Sequence, residues 1–347
     1  MLQHEELKKA AERVGFDLCG VVAVRPLEED AARFRRWVAA GHHSSLAYLE
    51  RNTDKRFDPA LLVEGAKSII VCAVNYKNAI SEGYEATHRA KIASYACNHD
   101  YHTTLKSMLR ELFGALQSGC PTLAGRGFVD SAPVAEKRWA VEAGFGWIGR
   151  QSLLITPRYG SFVHLCELII NEEFDHYDQP MQGVGCGSCR ACIEACPTGA
   201  ILENERMIST ARCIACHTIE RQPVTRIDLD GWIFGCDSCQ TCCPHNRRTP
   251  MHRHAAFDPL FDPRNMTSED WLSMSEEAFS QHFATTPLTR SGLKRIQENV
   301  EEERDNFAIK ASAHACVMPS RSNRRCGARA KPNSFGFCQA ARRKRKA

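Results

Sequence analysis

Ten of the 18 cysteines lie between Cys186 and Cys243. The first block reads Cys186-Gly-Ser-Cys189-Arg-Ala-Cys192-Ile-Glu-Ala-Cys196-Pro197. This is the C-x2-C-x2-C-x3-C-P run of bacterial two-cluster ferredoxins. Three thiolates spaced this way wrap three corners of one [4Fe–4S] cube, and the fourth points away to the other cluster. Zinc sites instead use two short Cys pairs set far apart, not four cysteines within eleven residues followed by Pro. The second block is Cys236-Asp-Ser-Cys239-Gln-Thr-Cys242-Cys243-Pro244 and offers two frames. Cys242 completes C-x2-C-x2-C, whereas Cys243 matches Cys196 in preceding Pro and would cross to the first cluster. The second cluster then has Cys236, Cys239 and the crossing Cys196, with Cys213 or Cys216 as its fourth ligand. Two [4Fe–4S] clusters make this a protein that moves electrons one at a time.

The elements that must hold these blocks follow from periodicity. Residues 1–180 alternate helix and strand patterns: helices at Glu5–Val14, Leu27–Ala40 and Tyr101–Leu116, strands at Leu18–Val24, Ser68–Asn75, Gly127–Asp130, Ser152–Ile155 and Ser161–Ile170. Gly41 reads as the glycine that ends its helix, and Gly144 as the stop of a helix running to Ala143. The expected fold class is α+β. It comprises an N-terminal α/β domain over 1–180, a ferredoxin-like domain over 181–250, a helical region over 251–315 (Ser268–Phe283 for example), and a basic tail over 316–347.

Composition limits the partners. A hydrophobic content of 43% and a charged content of 25% are those of an ordinary soluble domain. No apolar run reaches the roughly 18–20 residues of a membrane span. The N-terminus, MLQHEELKKAAERVG, mixes charges and lacks an apolar signal core, so a cytoplasmic protein is expected. Reduced thiols in that compartment favour metal or catalytic roles for clustered cysteines. The formal charge of +4 comes from the tail, since residues 317–347 carry ten Lys or Arg and no acid. Without them 35 basic face 41 acidic residues, so nucleic acid would need a local basic patch. Arg247, Arg248, Lys294 and Arg295 are candidates. The tail reads as disordered by composition, or as an RNA-contacting arm. Cys19, Cys72, Cys97, Cys120 and Cys166 read as structural thiols, and Cys316, Cys326 and Cys338 lack cluster spacing.

Asp130 follows a short apolar stretch and precedes Ser-Ala-Pro and a helix, so Asp130 or Ser131 could serve simply as a cap. Taken together, the segments VDSAPVAEKRWAVEAGFGWIGR, CGSCRACIEACPTGAI, RCIACHTIE and GWIFGCDSCQTCCPHNRR resemble the epoxyqueuosine reductases, which complete queuosine synthesis in tRNA. The resemblance runs over roughly residues 1–300. It implies reduction of epoxyqueuosine in the tRNA anticodon loop, with cobalamin in the N-terminal domain fed by the two clusters. It implies Asp130 as general acid, a role needing a raised pKa, for which Phe128, Val129 and Ala132 offer apolar surroundings. It places a ligand at Cys213. One cluster then takes Cys186, Cys189, Cys192 and Cys243, and the other takes Cys196, Cys213, Cys236 and Cys239. Cys216 and Cys242 depart from the family pattern and are expected to be free thiols near the clusters. Arg56, Tyr95 and Asp100-Tyr101-His102 match family segments, and Arg56, Tyr95, Asp130 and Arg150 are the expected cofactor contacts. Gly144, Gly146, Gly149 and Arg150 form a Gly-rich turn that matches neither nucleotide fingerprint and suits a tight turn beside the corrin. A one-electron donor such as ferredoxin or flavodoxin, no membrane and a monomeric state complete the expectation. The rival readings are a reductive dehalogenase-like enzyme and a non-catalytic electron carrier.

Overall fold

The structure, a computed structural model, describes residues 1–203, 205–220 and 226–317. Residues Met1–Phe307 form one compact unit. From Met318 onward the basic tail lies outside the described residues.

The unit is built on a four-stranded antiparallel sheet of β1 (Leu18–Ala23), β2 (Ser68–Asn75), β3 (Gly125–Phe128) and β4 (Val163–Ile170), in spatial order β1-β2-β4-β3. Every residue of β2 is buried. The reason is that both sheet faces are covered. Helices α1 (His4–Val14) and α2 (Glu28–Ala39) precede and follow β1, and α3 (Tyr101–Gly119) and α4 (Glu136–Glu142) flank β3. Ile70, Cys72 and Val74 pack with Leu7, Leu105, Leu109 and Leu112 of α1 and α3. Ile69, Val71 and Ala73 pack with Ala31 of α2 and Trp139 and Ala140 of α4. An antiparallel strand usually alternates apolar and polar, but helices on both sides turn this one into a continuous apolar run.

Differences from the expected elements have local causes. β3 ends at Phe128, because Asp130 adopts a left-handed φ of 52° and leaves the ladder. The strand expected at Ser152–Ile155 shrinks to Leu154–Ile155, with Ser152 also left-handed at φ 66°. It pairs with Trp147–Ile148 in a small hairpin. Gly146 sits there at φ 154°, where a Cβ would meet the Ile155 carbonyl at 2.0 Å, so only glycine fits. The span Ser268–Phe283 holds two helices, Ser268–Ser273 and Glu276–Phe283. Thr267 and Asp270 form a capping box on the first, and Ser275 caps the second through the Ala278 amide, so the chain restarts there.

The cysteine blocks sit on very short elements, Ala191–Glu194 and Ser238–Thr241, with α5 (Ile214–Glu220) between them. They are not a bead attached to the sheet domain. Trp232–Phe234 pairs in parallel with Lys91–Ile92, and Ile92, Phe234, Trp271, Phe283 and Ile296 share one core. The last helix, α6 (Gly292–Val317), adds Leu293, Ile296 and Val300 to it.

Candidate active site and cluster sites

A cavity of about 900 Å³ opens beside the Asp130 turn. Tyr48, Arg51, Arg56, Tyr95, Tyr101, His102, Asp130 and Arg290 are among its walls. A second cavity of about 440 Å³ adjoins it through Tyr95, Tyr101, Asp130 and Ile219. Its wall includes Glu136, Lys137, Gln151, His164, Cys196, Cys213, Cys216, Cys236 and Cys239. Asp130 therefore stands where a charged outer cavity meets a cysteine-lined inner one.

Neither Asp130 nor Ser131 caps α4, whose N-cap Ala135 makes no side-chain bond. Instead the Ser131 amide donates to the Val129 carbonyl at 2.5 Å, closing a tight turn centred on Asp130. The Asp130 amide donates to Glu136 Oε1 at 2.7 Å. A left-handed non-glycine residue at a ligand cavity is strain held in place by its surroundings. Here the surroundings are specific. Tyr101 Oη donates to Asp130 Oδ2 at 2.6 Å, and His102 Nε2 lies 3.6 Å from the same oxygen. The other His102 nitrogen, Nδ1, bonds Asp100 Oδ1 at 2.8 Å, while Asp100 caps α3 through the His102 amide. Four rings stand in a column: Tyr76, His164, Tyr101 and His102, with successive centroids 4.3, 4.3 and 4.2 Å apart. Burial pushes His164 down to about 3, so it serves the column as a neutral ring.

The electrostatics differ from the expectation of a raised pKa at Asp130. The charged His102 ring 3.6 Å away comes first, and together with the Tyr101 hydrogen bond it outweighs burial and holds the Asp130 carboxyl down at about 2. Of the apolar neighbours foreseen from sequence, Phe128 and Val129 pack into the cores, and half of the Asp130 side chain is open, with 50% exposure. The partner carries the proton. Asp100 first, then Asp130, raise His102 to about 9. The two shifts favour an imidazolium beside a carboxylate, with the proton on His102.

Arg56 and Tyr95 reach the outer cavity as expected. The Arg56 guanidinium lies 5.4 Å over the Phe34 ring, and its buried Nε has no hydrogen-bond partner among the described residues. Arg150 goes elsewhere: it donates to the Gly187 carbonyl at 2.9 Å, inside the first cysteine block, and lines neither cavity. Arg247, Arg248 and Lys294 are exposed and also outside both walls, and Arg295 is committed to the His217 carbonyl. Sequence reasoning missed Arg290, which lines the outer cavity and pairs with Glu220 at 2.6 Å. It also missed Arg51, His164 and Glu136. Arg51, His164 and Arg290 lie outside the sequence motifs, and Glu136, though inside the VDSAPVAEKRW segment, reads there only as the start of a helix.

The cysteines fall into two groups. Burial pushes the Cys192 thiol up, as do Cys186, Cys243 and Cys189 beside it. Cys242 lies against Cys192, Cys243 and Cys189. On the inner cavity wall, burial and then Cys236 and Cys213 push up Cys239, while Cys216 faces Cys213. Cys196, from the first block, lines this same wall. The Ala200 amide donates to the Cys196 sulfur at 3.3 Å, while the Cys236 thiol donates to Ser238 Oγ at 3.3 Å.

Comparisons with known proteins identify the family. A family model described as "Epoxyqueuosine reductase QueG, DUF1730" matches residues 56–131, and "4Fe-4S double cluster binding domain" matches 185–246. An epoxyqueuosine reductase of Cyclobacterium marinum is 40% identical over 298 residues, 85% of this chain and 94% of the relative. The chain belongs to the epoxyqueuosine reductase family. The family resemblance read from the motifs is thereby borne out, and the oxidoreductase class with it. Another epoxyqueuosine reductase, from Cellulophaga algicola, is 38% identical over 86% of this chain and 97% of its own length. An epoxyqueuosine reductase solved with an epoxyqueuosine-modified tRNA-Tyr stem loop superposes with a TM-score of 0.76 at 29% identity, covering 87% of this chain and 81% of that one. A Bacillus subtilis epoxyqueuosine reductase, described with its aspartate catalytic loop swung out of the active site, gives 0.75 at 27% identity over 90% and 83%.

Proposed function

We propose that this protein reduces epoxyqueuosine to queuosine in the tRNA anticodon loop, with Asp130 as proton donor. The observation that carries the reading is the position of Asp130, between a charged mouth and a wall of cysteines. The residues present fit the implied groups. Cys186, Cys189, Cys192 and Cys243 would hold one [4Fe–4S] cluster, and Cys196, Cys213, Cys236 and Cys239 the other. Cys216 and Cys242 are the spare thiols beside them. Ligand pockets are ordinarily about 300–1,000 Å³, and the outer cavity alone reaches the upper end of that range before the inner one is added. Arg56, Tyr95 and Asp130 would contact cobalamin there. Gln151 Nε2 and His164 Nε2, both buried on the inner wall without partners among the described residues, remain as polar groups for a bound ligand. Arg150 would act at the first cluster loop.

Cobalamin, when bound, supplies a reducing centre able to act at an epoxide carbon, and the clusters supply its electrons singly. The chain's own residues do the rest. Asp100 fixes the His102 tautomer, His102 holds a proton against Asp130, and Tyr101 aims the Asp130 carboxyl. As negative charge develops on the leaving oxygen, the proton held by the His102–Asp130 pair passes to it through Asp130. The Arg51, Arg56 and Arg290 guanidiniums at the mouth suit the phosphates of an RNA loop. Segment 1–180 would serve as the cobalamin-binding catalytic domain, 181–250 as the ferredoxin-like domain and 251–315 as the helical region. A cytoplasmic monomer fed by ferredoxin or flavodoxin fits this chemistry.

Anaerobic purification, reconstitution with cobalamin and assay on epoxyqueuosine tRNA test the reading. Corrin uptake with turnover supports it. Cluster absorbance without corrin uptake would leave a non-catalytic electron carrier as the better account.

A further inference from the structure

One pair of side chains has no role in the chemistry above. Glu136 opens α4 behind the Asp130 turn and lines the inner cavity. Glu167 sits in the middle of β4, opposite Phe128 of β3, and is 0% exposed. Neither of its carboxyl oxygens has a hydrogen-bond partner among the described residues. A buried carboxylate without a partner is strongly disfavoured, so such a group keeps its proton. Burial raises Glu167, and Glu136 and Asp130 nearby raise it further. Burial likewise raises Glu136, with Asp130 adding to it. The groups facing the pair are Arg56, Asp130 on its loop, Tyr101 and His102 on α3, Lys137 on α4, and the Cys72 and Cys166 thiols on β2 and β4. Lys137 is itself held by the Ser152 carbonyl at 2.6 Å.

The reaction needs more protons than the His102–Asp130 pair holds. Deoxygenating an epoxide to an alkene breaks two C–O bonds, forms one C=C bond and releases the oxygen as water. The balance is two electrons, delivered singly by the external donor through the clusters, and two protons. The His102–Asp130 pair supplies one. We propose that Glu136, with Glu167 behind it, stores the second proton, gives it up to the His102–Asp130 pair within each turnover, and is refilled from solvent through the cavity that Glu136 lines. The inference rests on the epoxide-reducing function proposed above.

Glu136→Gln separates this role from mere bracing. The amide oxygen still accepts the Asp130 N–H, but the side chain has no acidic proton to give. With fully loaded enzyme and epoxyqueuosine tRNA, Glu136→Gln and Glu136→Ala should both lose at least tenfold in kcat with KM unchanged. The alkaline limb of the kcat profile should also move. Independently of turnover, infrared titration of the purified protein should show a protonated carboxyl band at pH 7 that weakens in Glu136→Gln and in Glu167→Gln. If Glu136→Gln retains the wild-type rate and pH profile while Glu136→Ala is slow, the residue only braces the turn and the inference falls. It falls equally if the infrared band is absent from the wild type or unchanged in Glu136→Gln. A wild type that loads both cofactors yet never reduces epoxyqueuosine overturns the function instead, while the infrared band still judges the pair.

Discussion

The two adjoining cavities are made of opposite materials. The inner one is walled mainly by thiols, aliphatic side chains and neutral rings, with Glu136, Lys137 and Asp237 among them, and the outer one by arginines, acids, tyrosines and a charged histidine. Electrons and protons ask for these different walls. A dry, sulfur-rich wall keeps cluster ligands away from water and allows hydrogen bonds to tune them. A charged mouth binds a polyanion and keeps a proton at hand. Asp130 belongs to both, and its strained turn holds the carboxyl at the boundary.

Substitutions on either side should separate the two functions. Cys239→Ser, on the inner wall, should abolish turnover and lower iron content while tRNA binding stays within twofold. Iron analysis and a binding titration check this, and full activity in the variant would remove Cys239 from the ligand set. Asp130→Asn should lower kcat by about 10²–10⁴, the usual worth of a positioned acid, with iron content and tRNA affinity intact. An unaffected rate would refute its role.

The pH response is a milder test. His102 is raised from its ordinary 6.5 to about 9, so its contribution to the pair is complete below about 6.5 and is lost as pH rises through about 9. Asp130 is lowered to about 2, so its contribution is present above about 3.8 and is lost as pH falls through about 2. Turnover should therefore decline as pH approaches 9, and His102→Gln should remove that titration along with several-fold of the rate. NMR titration of the imidazole would locate the pKa directly. The smallest effect is expected at the rim, where half-exposed Arg290 pairs with Glu220. Arg290→Ala should weaken tRNA binding a few-fold and flatten its salt dependence, with kcat unchanged.

Much of this was legible in the chain. The spacing in 186–196 and 236–243 is a local property, because a cube of fixed size demands cysteines a fixed number of residues apart. The β2 run Ser68–Asn75 was readable because burial on both faces leaves only apolar residues. The turn at Asp130 was not, since nothing in Val-Asp-Ser announces a left-handed aspartate. Nor was its protonation. The expected raised pKa assumed that the neighbours in sequence were the neighbours in space, whereas His102 and Tyr101 arrive from another helix and reverse the shift.

What the sequence determined by itself was thus the inventory: thiols at cluster spacing and the apolar strands. Each depends on residues within a few positions of one another. Tertiary structure alone decided which groups share a charge. It stacked His164 of β4 between Tyr76 and Tyr101, brought Arg290 to the mouth, sent Arg150 to the cluster loop and set Glu167 behind Glu136. Electrostatic coupling falls with distance through space and not along the chain, so only the folded arrangement fixes where the protons reside.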